Sequence, residues 1–160
     1  FEITCFDGKF ENSSGVLEGP EVNPFFYPVN VSHFEEDFER DLSKWSDING
    51  LWHLTGKDSA WNDTLDLYRS ENHSAWFGQE SSGNYDVGAV VHGEMITAPL
   101  DFTGMGNAYL EFFHWAETGS GDDMIIEAST NGMDWDRLYQ SDENTPSWER
   151  LQVDLSDYAH

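Results

Sequence analysis

Between residues 108 and 155, apolar and polar positions alternate in runs separated by turn residues. Leu151, Val153 and Leu155 alternate with Gln152, Asp154 and Ser156, while Met124, Ile126 and Ala128 alternate with Ile125, Glu127 and Ser129. A period of two sends successive side chains to opposite faces, so these runs predict strands with one buried face. Ala108 to Ala116 is apolar on both faces and predicts a central strand. The sequence GSGDD, residues 119–123, predicts the turn that follows it. Asn131-Gly132 predicts a two-residue hairpin turn, in which both residues take positive backbone φ.

Further upstream, Phe34 to Phe38 predicts a short strand and Asp41 to Ser46 a single helical turn, with strands again at Leu51 to Thr55 and Ala75 to Gln79. Glu94 to Phe102 puts Ile96, Ala98, Leu100 and Phe102 on one face, although Pro99 demotes that run to an edge strand or a bulge. Two long polar connections, residues 56–73 and 78–88, have the length of functional loops. No helix-period segment of useful length and no internal repeat is found. Residues 1–32 are broken by Gly8, Gly15, Gly19, Pro20, Pro24 and Pro28 and predict an extended arm. Its aromatic stretch Phe25-Phe26-Tyr27 is suited to docking on its own domain or on a neighbour. The expected fold is all-β: a two-sheet antiparallel β-sandwich of jelly-roll type over residues 33–160, preceded by that arm.

Composition sharpens this picture. A chain of 160 residues suits one domain plus a tail and can bury a real core. Eleven phenylalanines, seven tryptophans and six tyrosines fit a two-sheet core and equally a ligand face. Thirty-one acidic residues against seven basic ones give a formal charge of −24, which repels a phosphate backbone and excludes nucleic acid as a partner. High salt or bound divalent cations would relieve the self-repulsion. Cys5 is the only cysteine, so it is either free or bonded to another chain. No apolar run reaches the roughly 18 residues of a membrane span. The chain begins at Phe1 without a signal peptide, as a processed product or a segment of a larger protein would. Four Asn-x-Ser/Thr sequons, at Asn12, Asn30, Asn62 and Asn72, point to an exported, glycosylated surface.

Candidate chemistry is sparse. Calcium takes six to eight oxygen ligands, and carboxylates cluster at Glu35, Glu36, Asp37 and Glu39 and again at Glu117, Asp122 and Asp123. Neither cluster has EF-hand spacing, so a calcium site would have to assemble from separated segments. His114 and Glu117, three apart on a strand, point to opposite faces and make a poor zinc pair. His53 and His114 are embedded in aromatics, and core histidines bonded to backbone are the simpler expectation. Trp61, Tyr68, Trp76, Phe77 and Tyr85 lie in or beside the two long connections. Aromatic faces there could stack on sugars or apolar partners, with Trp61 and Tyr85 the most exposed. No Gly-x-Ser-x-Gly and no Cys/His arrangement is found. Nothing singles out a carboxylate pair for glycoside cleavage.

The order FEEDFERDLSKW, LWHLT, SAWFGQESSGNYDVG, EMITAPLDFTG, AYLEFFHWAET, MIIEASTNGMDWDRLYQ and WERLQVDLSDYA, over about residues 34–159, resembles a jelly-roll domain of secreted prokaryotic proteins. That domain is related in fold to MAM-type modules and accompanies immune inhibitor A-like metallopeptidases, subtilisin-like proteases and anchored surface proteins. The resemblance implies a β-sandwich with an accessory, structural or adhesive role, commonly holding structural calcium, and does not imply catalysis. Carried across by position, Glu39, Glu117 and Asp123 become the expected ligands, and Asp122 of the GSGDD cluster is expected to join them. Domains of this kind continue past VDLSDYA into two further strands, whereas this chain stops at His160. Either the chain is truncated there, or the missing strand is supplied by the N-terminal arm in cis or by a neighbouring subunit in trans, as in donor-strand assembly. The expected function is a non-enzymatic extracellular module for cell-surface structure or adhesion, able to polymerise as a filament subunit by donor-strand exchange. Its partners would be other copies of itself, other cell-surface proteins or glycans. The alternative is a glycan- or protein-binding accessory domain of a secreted protease or other hydrolase.

Overall fold

The computed structural model describes residues 2–5, 34–56 and 71–159. Their regular structure is all strand apart from one 3-10 turn, Ser156–Tyr158. The strands are β1 (Glu2–Cys5), β2 (Trp45–Ile48), β3 (Trp52–Gly56), β4 (His73–Phe77), β5 (Met95–Thr97), β6 (Tyr109–Trp115), β7 (Met124–Ala128), β8 (Asp136–Ser141) and β9 (Glu149–Asp154). Every pairing is antiparallel. Five strands form one sheet in the order β3-β4-β1-β6-β9, while β2-β5 and β7-β8 form two-stranded ribbons.

Two of the alternating runs predicted from sequence become strands with the expected inward faces. Met124 is buried and Ile126 half-buried while Ile125 and Glu127 are exposed in β7, and Val153 is buried between exposed Gln152 and Asp154 in β9. β6, apolar on both faces, is interior to its sheet and pairs with β1 on one side and β9 on the other. The core cluster of Phe38, Ala75 and Phe112 collects Trp52, Leu54, Leu110 and Leu151 from the large sheet, Trp45 and Met95 from the first ribbon and Ile126 from the second. Each ribbon thus contributes apolar side chains to a core shared with the five-stranded sheet, as in a β-sandwich, although the opposing layer is small and not closed.

Elsewhere the structure corrects the sequence reading. Residues 34–38 are not a strand. Phe34 and Phe38 do turn inward, but so does Glu36, which is only 3% exposed. The backbone donors here are taken by carboxylates: Phe38 N donates to Glu36 Oε1 (2.9 Å) and Glu39 N to Asp37 Oδ1 (3.1 Å). Phe38 itself sits at φ +59°, a left-handed conformation incompatible with a strand. Residues 42–45 form a single tight turn, Trp45 N to Leu42 O at 3.1 Å, and not a helical segment. The run from Glu94 shrinks to the three residues of β5, ending two residues before Pro99. The hairpin between β7 and β8 closes through residues 129–135, not through a two-residue turn. Gly132 has φ +69° but Asn131 does not share it, so the paired positive angles are absent.

The remaining connections are held by close approach. A Cβ on Gly50, at φ +68°, would come within 2.4 Å of the His92 carbonyl oxygen, so the turn between β2 and β3 passes directly over the segment leading into β5. Asn49 clips these together, its backbone N–H on Glu94 O (3.0 Å) and its side-chain oxygen on Glu94 N (3.0 Å). The segment 2–5, which falls within the predicted arm, lies in the middle of the large sheet, with Ile3 opposite Ala75 of β4 and His114 of β6.

Candidate functional site

Three connections meet at one end of the large sheet: residues 78–88 after β4, 116–123 after β6 and 142–148 after β8. Strand geometry brings the last two together, because β6 and β9 run antiparallel in continuous register from Tyr109↔Asp154 to His114↔Glu149. Beyond that register, Ala116 N donates to Thr145 Oγ1 (2.9 Å) and Thr145 N to Ala116 O (2.9 Å). Thr118 continues the lacing, its backbone N–H on Asn144 Oδ1 (2.5 Å) and its hydroxyl on Asp142 O (3.1 Å).

Tyr85 ties in the third connection. Its loop is shaped first by local bonds: Gln79 N donates to Asn84 O (2.9 Å), Asp86 N to Asn84 Oδ1 (3.0 Å) and Gly88 N to Asp86 Oδ1 (2.8 Å). These hold the Tyr85 ring against Phe77 at a centroid distance of 6.2 Å. The phenol then donates to Asp122 Oδ2 (2.8 Å) and accepts the Gly119 backbone N–H. Burial raises the Tyr85 pKa, partly opposed by the Gly119 bond and reinforced by Asp122, so the group stays a neutral donor. A Cβ at position 119 would stand 2.8 Å from Asp122 Oδ2 and 3.1 Å from the Tyr85 oxygen, so a larger residue would push these two side-chain ends aside. The result is a braced cluster of three connections that exposes Asp86, Glu117, Asp122, Asp123, Asp142 and Glu143. Its chemistry suits cationic or neutral polyhydroxyl partners better than anionic ones.

Sequence reasoning had singled out Tyr85 and Asp122 for different roles, and the structure bonds them to each other. It missed Gly119, Asn144 and Thr145, whose partners lie 24 or more residues away in sequence. The other predicted residues are dispersed. Glu39 is spent on the start of β4: its Oε1 accepts the N–H groups of Asn72 (2.8 Å) and His73 (3.1 Å), and its Oε2 faces His73 Nδ1 at 3.2 Å. Among the described residues no group of three or more His, Cys, Asp or Glu side chains is gathered around one point, with Glu39 engaged at the start of β4 and Glu117, Asp122 and Asp123 exposed on the connection after β6. Trp76 is 8% exposed, with its indole 5.4 Å from the His53 ring. Asn72 is exposed just before β4. Trp61, Tyr68, Asn12, Asn30 and Asn62 lie outside the described residues.

The two histidines differ. His53 Nδ1 meets the backbone oxygen of Leu51 at 2.8 Å and its Nε2 meets Glu80 Oε1 at 3.2 Å. His114 is 6% exposed, and its Nδ1 is buried without a hydrogen-bond partner. Burial lowers its pKa, partly offset by Glu149 across the β6–β9 pair. A neutral imidazole packed against Phe112 serves the core.

A second exposed feature lies on the β7–β8 hairpin. Met133 is 79% exposed and Trp135 40% exposed, on a loop built by Ser129, Asn131 and Asp134. Near this hairpin's end Tyr158 donates to Asp136 Oδ2 (3.0 Å), anchoring the 3-10 turn to β8. No helix among the described residues is long and apolar enough to cross a membrane. Comparison with family models, with curated proteins and with solved structures returned no match.

Proposed function

We propose that this chain is a non-enzymatic extracellular β-sandwich module for cell-surface structure or adhesion, which associates with other copies of itself by strand donation. The observation that carries the reading is the position of β1. It lies between β4 and β6, antiparallel to both, so those two neighbours would each present an unpaired edge without it. The 28 residues from 6 to 33 separate it from Phe34. Fully extended, that length spans up to about 90–100 Å, enough to reach an adjacent molecule. Backbone hydrogen bonds to β4 and β6 are the same whether the strand comes from its own chain or another, so concentration and connection length decide between them. Head-to-tail donation does not close and gives filaments, the assembly expected of a surface polymer.

Assembly state tests this directly, by negative-stain microscopy and light scattering in high salt with calcium and again with chelator. Filaments or oligomers that dissolve on deletion of residues 1–32, and re-form a single folded unit when a peptide of residues 1–8 is added, are the expected result. A monodisperse full-length chain in both conditions, with a stable monomer after the deletion, refutes it. Calcium and glycosylation belong to the same extracellular proposal, and the chelator arm and intact-mass measurement on exported protein address them.

A second reading, a glycan- or protein-binding accessory domain of a secreted hydrolase, draws on the braced loops around Tyr85 and on exposed Trp135. Loss of glycan or peptide retention in Trp61→Ala and Trp135→Ala variants would support it. Unchanged retention across a broad panel would remove it.

A further inference from the structure

In an Asn-Gly pair the glycine nitrogen has no side chain beside it to hinder attack on the asparagine amide. The nitrogen of Gly132 bonds to Cγ of Asn131 with loss of its proton, the Cγ–Nδ2 bond breaks and ammonia leaves. Water then opens the cyclic imide to aspartate or isoaspartate. Both ends of this reaction are tied down here. Gly132 N donates to Ser129 Oγ at 2.9 Å, and the same hydroxyl accepts Asn131 N (3.2 Å) and donates to Asn131 Oδ1 (3.1 Å). Asn131 Oδ1 also accepts the N–H groups of Met133 (2.8 Å) and Asp134 (2.9 Å), while Nδ2 donates to Asp134 Oδ2 at 2.9 Å. The amide is fixed by four bonds and cannot rotate towards the glycine nitrogen without releasing the loop.

We propose that Asn131 is a latent deamidation site, held unreacted by the Ser129 hydroxyl and the Asp134 carboxylate, whose conversion would open the loop that displays Met133 and Trp135. The bond from Nδ2 to Asp134 at 2.9 Å would become a contact between two carboxylates, replacing attraction by repulsion. The isoaspartate product would also add a methylene to the main chain between β7 and β8. The change is therefore read out where the hairpin is most exposed, with Met133 at 79%.

The other Asn-Gly pair is an internal reference. Asn49 holds its amide through Glu94, with Nδ2 to Oε1 at 3.0 Å and Oδ1 from Glu94 N at 3.0 Å, independently of Ser129. The test incubates the full chain and a synthetic peptide of residues 127–136 at mildly alkaline pH, with mass spectrometry separating amide, aspartate and isoaspartate at each site. Reaction in the folded chain must wait for local opening, so Asn131 should convert at least about tenfold more slowly than in the peptide. Ser129→Ala should bring its rate towards that of the peptide while leaving Asn49 unchanged. Equal rates in chain and peptide overturn the proposal, as does a folded Ser129→Ala variant with an unchanged Asn131 rate or with equal acceleration at both sites. Should that variant not fold, the comparison of chain with peptide decides alone.

Discussion

Phe38 offers a substitution whose sign separates two physical accounts. It is fully buried, stacked on Trp45 with ring centroids 6.1 Å apart, and its backbone is left-handed at φ +59°. Removing the ring in Phe38→Ala should cost about 3–5 kcal/mol through lost transfer energy and the cavity left behind. In an ordinary strand or helix the further step to glycine costs about another 0.5–1 kcal/mol, because glycine has more freedom to lose. Here alanine keeps a left-handed penalty of roughly 1–2 kcal/mol that glycine escapes. The balance makes Phe38→Gly more stable than Phe38→Ala by about 0.5–1 kcal/mol, or some 1–4 °C in Tm for a domain near this size. Urea unfolding followed by tryptophan fluorescence measures it, with Trp45 as a nearby reporter. If the alanine variant proves equally or more stable, Phe38 is not held in the left-handed region, and the account of residues 34–39 as a carboxylate-capped turn is wrong.

Burial places the folded-state pKa of His114 below its unfolded value, so the unfolded chain binds more protons once pH drops below about 6.5, and the associated stability, full above that pH, declines until the folded pKa is passed. A His114→Gln variant should flatten this part of the stability profile, and parallel profiles would refute the assignment. Tyr85→Phe removes the bonds to Asp122 and Gly119 and should cost about 1 kcal/mol, with faster hydrogen exchange at the Gly119 amide. Gly50→Ala meets both a left-handed backbone and the His92 carbonyl at 2.4 Å and should cost upwards of about 2 kcal/mol in denaturant unfolding. With a formal charge of −24, raising salt from about 0.01 to 0.15 M, which shortens the screening length from about 30 to 8 Å, should raise Tm. A Tm that does not move would show the carboxylates too dispersed to repel.

What the sequence made legible was burial. β6, β7 and β9 announce themselves through alternation, or its absence, because one face of each strand meets the shared core. Backbone pairing was harder to see. Phe34, Glu36 and Phe38 alternate inward as a strand would, yet their hydrogen bonds are met locally by carboxylates, which no periodicity reveals. Asn131-Gly132 indicated the hairpin, but the Asn131 side chain captures the N–H groups of Met133 and Asp134 and builds a longer loop. The Tyr85–Asp122 bond joins residues 37 apart, and only the assembled sheet makes them neighbours.

The place of β1 also sets an order of events during synthesis. Its segment is made before its neighbours, and its register partners run from Ala75–Trp76 in β4 to Phe112–Trp115 in β6. At about 5–20 residues per second, some 5–20 s pass before β6 exists to receive it. Over that interval β3 and β4 can pair with each other, while residues 2–5 have only one of their two final neighbours. Closure of the large sheet is therefore a late, long-range step, and long-range strand pairing is the slow kind. The nascent chain is left with a strand seeking a partner and a sheet lacking one, so under the proposed strand donation the spacing of neighbouring ribosomes on one message would decide whether each chain closes on itself or on its neighbour.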